Sequence, residues 1–221
     1  YAQAQMLLFD RQEPAAIKLL EQAIERDPNP ALMLETARAH DALGQEERAL
    51  ELVHWALKLR PGWAEAHSLE GEIHLNRARS GEDVLENVDR ALASYRAAVR
   101  VDPTDVASVR TLAELSMEIG RLEEAAAVLN AYAERQPLGP ALSLLLARVH
   151  LRARQPEKAE PLLVALLERA PTNIEAVDAL ASLYEADERY DDAIALYDPV
   201  LRAGINSSGL QDRLGLLHLE A

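Results

Sequence analysis

Seven positions along this chain carry only Ala or Gly: Ala4, Ala37, Gly71, Ala113, Ala147, Ala181 and Gly215. Consecutive members lie 34 residues apart, except for one step of 33 and one of 42. Such a period marks stacked supersecondary units, none of which can bury its apolar face alone. A second series, Ala16, Ala49, Ala91, Ala125, Ala159 and Ala193, keeps the same register. Four residues beyond it stand large side chains: Leu20, Val53, Tyr95, Leu129, Leu163 and Tyr197. Pro28, Pro61, Pro103, Pro137 and Pro171 each follow twelve residues after a member of the second series.

Two antiparallel helices explain these series. Packed helices lie about 8–10 Å apart, and the near end of that range needs a small side chain at the crossing. One series belongs to the first helix of each unit and the next to the second, with the large residues interlocking beside them. The apolar period is helical: Leu112, Leu115 and Ile119 follow one stripe, and Ala125, Leu129 and Tyr132 another. Gly44 and Gly120 sit where a glycine ends a first helix. Asp105, Asn173 and Ser207 are N-cap types, and the recurrent Pro stops each second helix.

Composition narrows the function. The formal net charge of −14 opposes nucleic-acid binding, which rests on Lys and Arg at phosphates, and opposes anionic membrane surfaces. Cys is absent, which removes disulfides, thiolate catalysis and Cys-based zinc sites. That absence suits cytoplasm and periplasm alike, and the excess of Arg over Lys with abundant Ala suggests a bacterial source. Aromatic residues make up 4% of the chain, so strands are disfavoured. No apolar run reaches the ~18 residues of a membrane span.

The period, the small residue in helix one, Gly at the turn, Ala early in helix two and the closing Pro resemble the tetratricopeptide repeat. Leu112, Ala113, Gly120, Ala125 and Pro137 carry the resemblance most fully; Ala147, Ala159 and Pro171, and then Leu180, Ala181, Tyr184, Tyr190 and Ala193, carry it again. It implies an all-α, right-handed α-solenoid of antiparallel helix pairs, a superhelix of about six and a half repeats. The units are residues 1–29, 30–63, 64–105, 106–139, 140–173, 174–207 and a partial 208–221. Both ends fall inside a first helix, so the chain reads as a segment of a longer array.

Some residues depart from the pattern. Met33, His67, Val109, Ser143, Val177 and Gln211 stand where the family usually has Trp, and Ile205 replaces a Pro. Pro161 and Pro199 fall inside second helices, where a bend or ragged start is expected. The 64–105 unit carries eight extra residues near Ser80 to Asp89. Leu85, Val88, Leu92 and Tyr95 keep a helical stripe there, which predicts a second helix extended forward from about Gly81; a surface loop is the alternative.

Catalytic signatures are lacking: the chain has no P-loop, dinucleotide fingerprint, nucleophile elbow or HExxH. No enzyme activity and no cofactor are expected. His40, His74, His150 and His218 share one column. One member per helix pair leaves neighbours about 10 Å or more apart, too far to share a metal. Each ring is expected to pack between helices with one nitrogen bonded, and Tyr184 takes the same place. His54 and His67 look isolated.

The resemblance places a partner-binding concave groove on the first helices. Side chains three before, one after and four after the small residue would line it. The expected partner-binding residues are Leu75, Arg110, Glu114, Met117, Leu144, Arg148 and Leu151, with Arg152 beside them. Arg and apolar groups there suit the core of a protein interface. The family's carboxylate clamp needs Lys and Asn, but Glu72, Glu114 and Ser182 occupy the Asn column, so chaperone-tail binding is not implied. The chain thus reads as a non-catalytic scaffold holding a peptide or helix of another protein. The alternative is a self-associating or spacer module, suggested by apolar Leu216, Leu217 and Leu219.

Overall fold

A computed structural model describes residues 13–205 and 208–220; Ala4 and Ser207 lie outside them. Among the described residues the regular elements are helices and no strand occurs. They are α1 (Glu13–Arg26), α2 (Pro30–Ala42), α3 (Glu46–Leu59), α4 (Ala64–Arg79), α5 (Val84–Val101), α6 (Val106–Glu118), α7 (Leu122–Ala133), α8 (Pro140–Arg152), α9 (Pro156–Arg169), α10 (Ile174–Ala186), α11 (Tyr190–Ala195), α12 (Asp198–Arg202) and α13 (Ser208–Glu220). The chain gathers into two compact units, Tyr1–Leu112 and Ala113–Ala221, and α6 contributes to both. In the first unit α1 to α4 each pack on the next helix. In the second, α7 to α10 do the same, and α11 also packs on α13. The expected all-α architecture of adjacent helix pairs is what the chain forms.

The three series set this packing. Ala37, Ala113, Ala147 and Ala181 are 0% exposed, as are Ala16, Ala49, Ala91, Ala125, Ala159 and Ala193. Their large companions are buried too, with Tyr95 the most exposed at 7%. Gly71 shows why one crossing needs glycine: a Cβ there would lie 2.7 Å from the Tyr95 ring. Gly215 is exposed and a Cβ on it would meet nothing within 4 Å.

First helices end in one way. In α2 the Gly44 N–H donates to the Asp41 carbonyl at 2.8 Å and the Gln45 N–H to the His40 carbonyl at 2.9 Å, the Schellman pattern. Gly44 and Gly120 have φ of 69° and 79°. After α8 and α10 the same left-handed position holds Arg154 and Glu188, with φ of 55° and 59°. A Cβ in that conformation costs roughly 1–2 kcal/mol, partly offset in glycine by unfolded-state entropy. Arg154→Gly and Glu188→Gly should therefore each raise stability by about 0.5–1 kcal/mol, read as a higher urea midpoint; a lowered midpoint would refute the strain.

The extra eight residues are shared between helices. The helix α4 ends eight residues after Gly71, whereas α2, α6, α8 and α10 end five after their small residue. The helix α5 starts seven residues before Ala91, against three for α3, α7, α9 and α11. The second helix is thus extended, as the stripe predicts, but it begins at Val84 and not near Gly81, because α4 takes part of the surplus. Arg77, in the added turn of α4, anchors it through ion pairs with Glu46 (3.2 Å) and Glu47 (2.6 Å) of α3.

The two internal prolines differ in effect. At Pro161 the helix is continuous, but its start is ragged: the Lys158 N–H reaches the Gln155 carbonyl at 3.1 Å, a three-residue step. Pro199 breaks its helix. The helix α11 stops at Ala195, four residues before the proline, where the ring would strike the carbonyl.

Candidate functional site

Each unit places its share of the expected partner-binding residues separately. In the first, Leu75 is 7% exposed and Arg110 is exposed. Nearby, Arg38, Ser68, Glu72, Asp102 and Asp105 line a cavity of about 250 Å³. The Ser68 and Ser108 hydroxyls share a hydrogen bond of 2.6 Å at the feet of α4 and α6. Burial, and then the neighbouring Glu72 charge, push the Asp41 carboxyl above its ordinary range, although Asn76 donates to it.

In the second unit Met117 and Leu144 are 6% and 8% exposed, and Leu151 is half-buried. Glu114, Arg148 and Arg152 are exposed. Arg148 and Arg152 stand one turn apart on α8, and neither has an ion pair or hydrogen bond among the described residues. Two acidic groups of α10 are engaged: Arg213 of α13 lies 2.7 Å from Glu185, and the Tyr197 hydroxyl donates to Asp178 at 2.7 Å. Leu75, Met117 and Leu144 therefore brace their helices, and α8 offers its two arginines and the flank of Leu151.

The histidine column is structural. His40, His74 and His150 are 5%, 5% and 7% exposed. Their Nδ1 atoms lie 2.6 Å from Gln45, 3.0 Å from Asn87 and 3.1 Å from Gln155. Each amide stands four residues before the Ala of the second helix, so one bond recurs in three turns. The Asn87 Nδ2 donates to the Glu82 carbonyl at 2.8 Å, leaving its oxygen for His74, whose Nδ1 must carry the proton. Burial holds His74 below the ordinary imidazole range. Tyr184 and Arg189 replace the pair with a stacked guanidinium 3.9 Å from the ring. His218 is exposed on α13. Among the described residues no group of three His, Asp or Glu side chains is disposed to hold a metal ion.

His54 and His67 are not isolated. They meet at Glu70 on the wall of a cavity of about 530 Å³, lined also by His74, Arg90 and Ser94. The signal was present but subtle. Glu70 precedes the small residue Gly71, at a position where Leu112, Leu146 and Leu180 stand in other units.

The comparisons with known proteins agree with this geometry. Two tetratricopeptide repeat family models match, one over residues 85–149 and one over 1–62 and 144–208. Tetratricopeptide repeat protein 21A of Mus musculus is 25% identical over 224 residues; the match covers 88% of this chain and 16% of that protein. This chain thus spans a small part of the curated relative's length. Among solved structures, YrrB, described as a TPR protein with an unusual peptide-binding site, has a TM-score of 0.65 at 17% identity, covering 83% of this chain and 91% of that one. A tetratricopeptide repeat protein from Parabacteroides merdae has a TM-score of 0.66 at 15% identity, covering 99% and 85%. These structural likenesses show the fold, and the repeat family whose models match is in general one of protein–protein interaction scaffolds. Among the described residues no helix is long and apolar enough to cross a membrane. With repeat models covering more than half of its length and buried small residues at the helix crossings, the chain belongs to the tetratricopeptide repeat family.

Proposed function

We propose that this chain is a non-catalytic scaffold that takes a peptide or helix of another protein on the first helices of its repeats. The assigned residues are Leu75 and Arg110 in the first unit, and Glu114, Met117, Leu144, Arg148, Leu151 and Arg152 in the second. The observation that carries the reading is on α8. In a chain of net charge −14, Arg148 and Arg152 have no acidic partner among the described residues and stand beside Leu151. Unpaired arginines next to apolar area are suited to anchoring a partner. YrrB, similar in fold, is described as having a peptide-binding site.

The test is affinity capture from the native cell with quantitative mass spectrometry. Arg148→Glu with Arg152→Glu should lose captured partners by roughly thirtyfold or more, the effect of removing about 2 kcal/mol or more at an interface. Arg169→Glu, on the exposed side of α9, is the control and should retain them. Far-UV circular dichroism should be unchanged in both. Equal capture by the double variant and the control would remove α8 from the site.

A second reading, self-association, rests on α13, where Leu216 and Leu219 are 58% and 85% exposed. Light scattering across a concentration series would show a rising mass; a constant monomer mass would eliminate it.

A further inference from the structure

We propose that His54 and Glu70, with His67 facing the carboxylate, form a proton-operated clasp that ties α3, α4 and α5 of the first unit together within a limited pH interval and loosens on either side of it. Glu70, on α4, has a side chain only 17% exposed. Its carboxylate meets His54 Nε2 of α3 at 2.8 Å and accepts from the Ser94 hydroxyl of α5 at 2.9 Å. His67 Nδ1 faces it at 3.8 Å. The other His67 nitrogen, Nε2, donates to the Pro61 carbonyl at 3.0 Å. That leaves Nδ1 as a buried nitrogen without a hydrogen-bond partner, its lone pair turned to a carboxylate. These ring nitrogens and carboxylate oxygens do not converge as a set of metal ligands would, so the ion the geometry admits is H⁺.

Other charges face the cluster from every packed helix. Lys58 on α3 and Arg90 on α5 oppose a charge on His54, and Arg90 is itself engaged by Glu86. His74 lies on α4 beside Glu70, and its Nδ1 is taken by Asn87. The hydrogen bond to Glu70, against burial, raises His54 above the ordinary imidazole value of 6.5. Burial pushes the Glu70 carboxyl up, but the bonds from His54 and Ser94 and the histidine charges outweigh it and leave it below 4.5. The raised His54 contributes stability that is complete below pH 6.5 and is lost as pH rises through its folded value. The lowered Glu70 contributes stability present above pH 4.5 and lost as pH falls through its folded value. The clasp is therefore tightest between those two pH values. His54 is 54% exposed, so screening keeps its effect modest.

The second unit supplies an internal control. The equivalent positions there are Asn130, Ser143, Leu146 and Leu162, none of which titrates. The experiment is amide hydrogen exchange of the full chain by mass spectrometry at pH 5.5 and 8.5, corrected for the intrinsic pH dependence. Peptides from α3 to α5 should lose roughly threefold in protection at the higher pH, while those from α7 to α9 hold theirs. Glu70→Leu, which installs the residue of the second unit, should remove the difference. His54→Gln, a change at a half-exposed site, should remove it as well and serves if the Glu70 variant does not fold. Unchanged α3–α5 protection in the wild type, or a loss that persists in His54→Gln, would overturn the clasp.

Discussion

Tyr197→Ala is expected to destabilise the second unit by about 3–5 kcal/mol, the usual cost of emptying a buried aromatic site. Tyr197 is 0% exposed and, among the described residues, the bulkiest of the fully buried side chains. It fills the space among Val177, Ala181, Ala193, Val200, Leu210 and Leu217. Its ring sits just before the α12 helix, where the chain has already lost a turn to Pro199, so little regular structure remains to close around a void. The hydroxyl adds a smaller share through Asp178. Burial raises it above the ordinary phenol range, with the Asp178 bond acting in the same direction, so it stays protonated at neutral pH and keeps donating. Tyr197→Phe should accordingly cost only about 0.5–1.5 kcal/mol. Urea unfolding of both variants separates the terms. Repeat arrays unfold by neighbouring units, so hydrogen exchange in the Ala variant should rise across α10 to α13 and little in α2 to α5. Equal losses in the two variants would show that the ring volume is not what matters.

Gly71→Ala should destabilise the first unit although it replaces a poor helix former with the best one. Propensity alone predicts a gain of about 1 kcal/mol. The new Cβ would stand 2.7–3.1 Å from three atoms of the Tyr95 ring, and forced overpacking costs typically about 1–3 kcal/mol. The ring has little room to retreat. It is 7% exposed, its hydroxyl bonds Thr111, and burial followed by the Glu72 charge pushes it up to about 12. A Tyr95→Leu background removes the obstacle, since the units with Ala113 and Ala147 carry Leu129 and Leu163 at the position equivalent to Tyr95. There Gly71→Ala should stabilise. The sign reversal between backgrounds, read from denaturation midpoints as a coupling of about 2 kcal/mol, is the decisive measurement; additive effects would exclude a direct clash.

Glu70 shows how much of the candidate chemistry could be read in advance. An acid stands where the four following units have Leu, but its meaning depends on His54, from another helix, and on Ser94, from a third. Sequence separation says nothing about which side chains point into a shared cavity. Leu75, Met117 and Leu144 teach the converse. Helical spacing places them on the partner side of the first helices, yet they are long enough to fold back against neighbouring helices and bury. Arg148 and Arg152 on the same surface stay outside, because desolvating an unpaired guanidinium is costly.

The all-α class, the 34-residue register and the three series of residues that pack at the helix crossings follow from residue order alone. These are local and periodic properties, imposed by helix geometry and by the need for a small side chain where two helices cross. Tertiary structure alone decided how the eight surplus residues were divided between α4 and α5. It also decided that Arg154 and Glu188 accept left-handed turns without glycine, and that two unremarkable histidines share one carboxylate. Each of those outcomes is a balance between a helix's own preference and the contacts of its neighbours, and only the packed chain contains both sides.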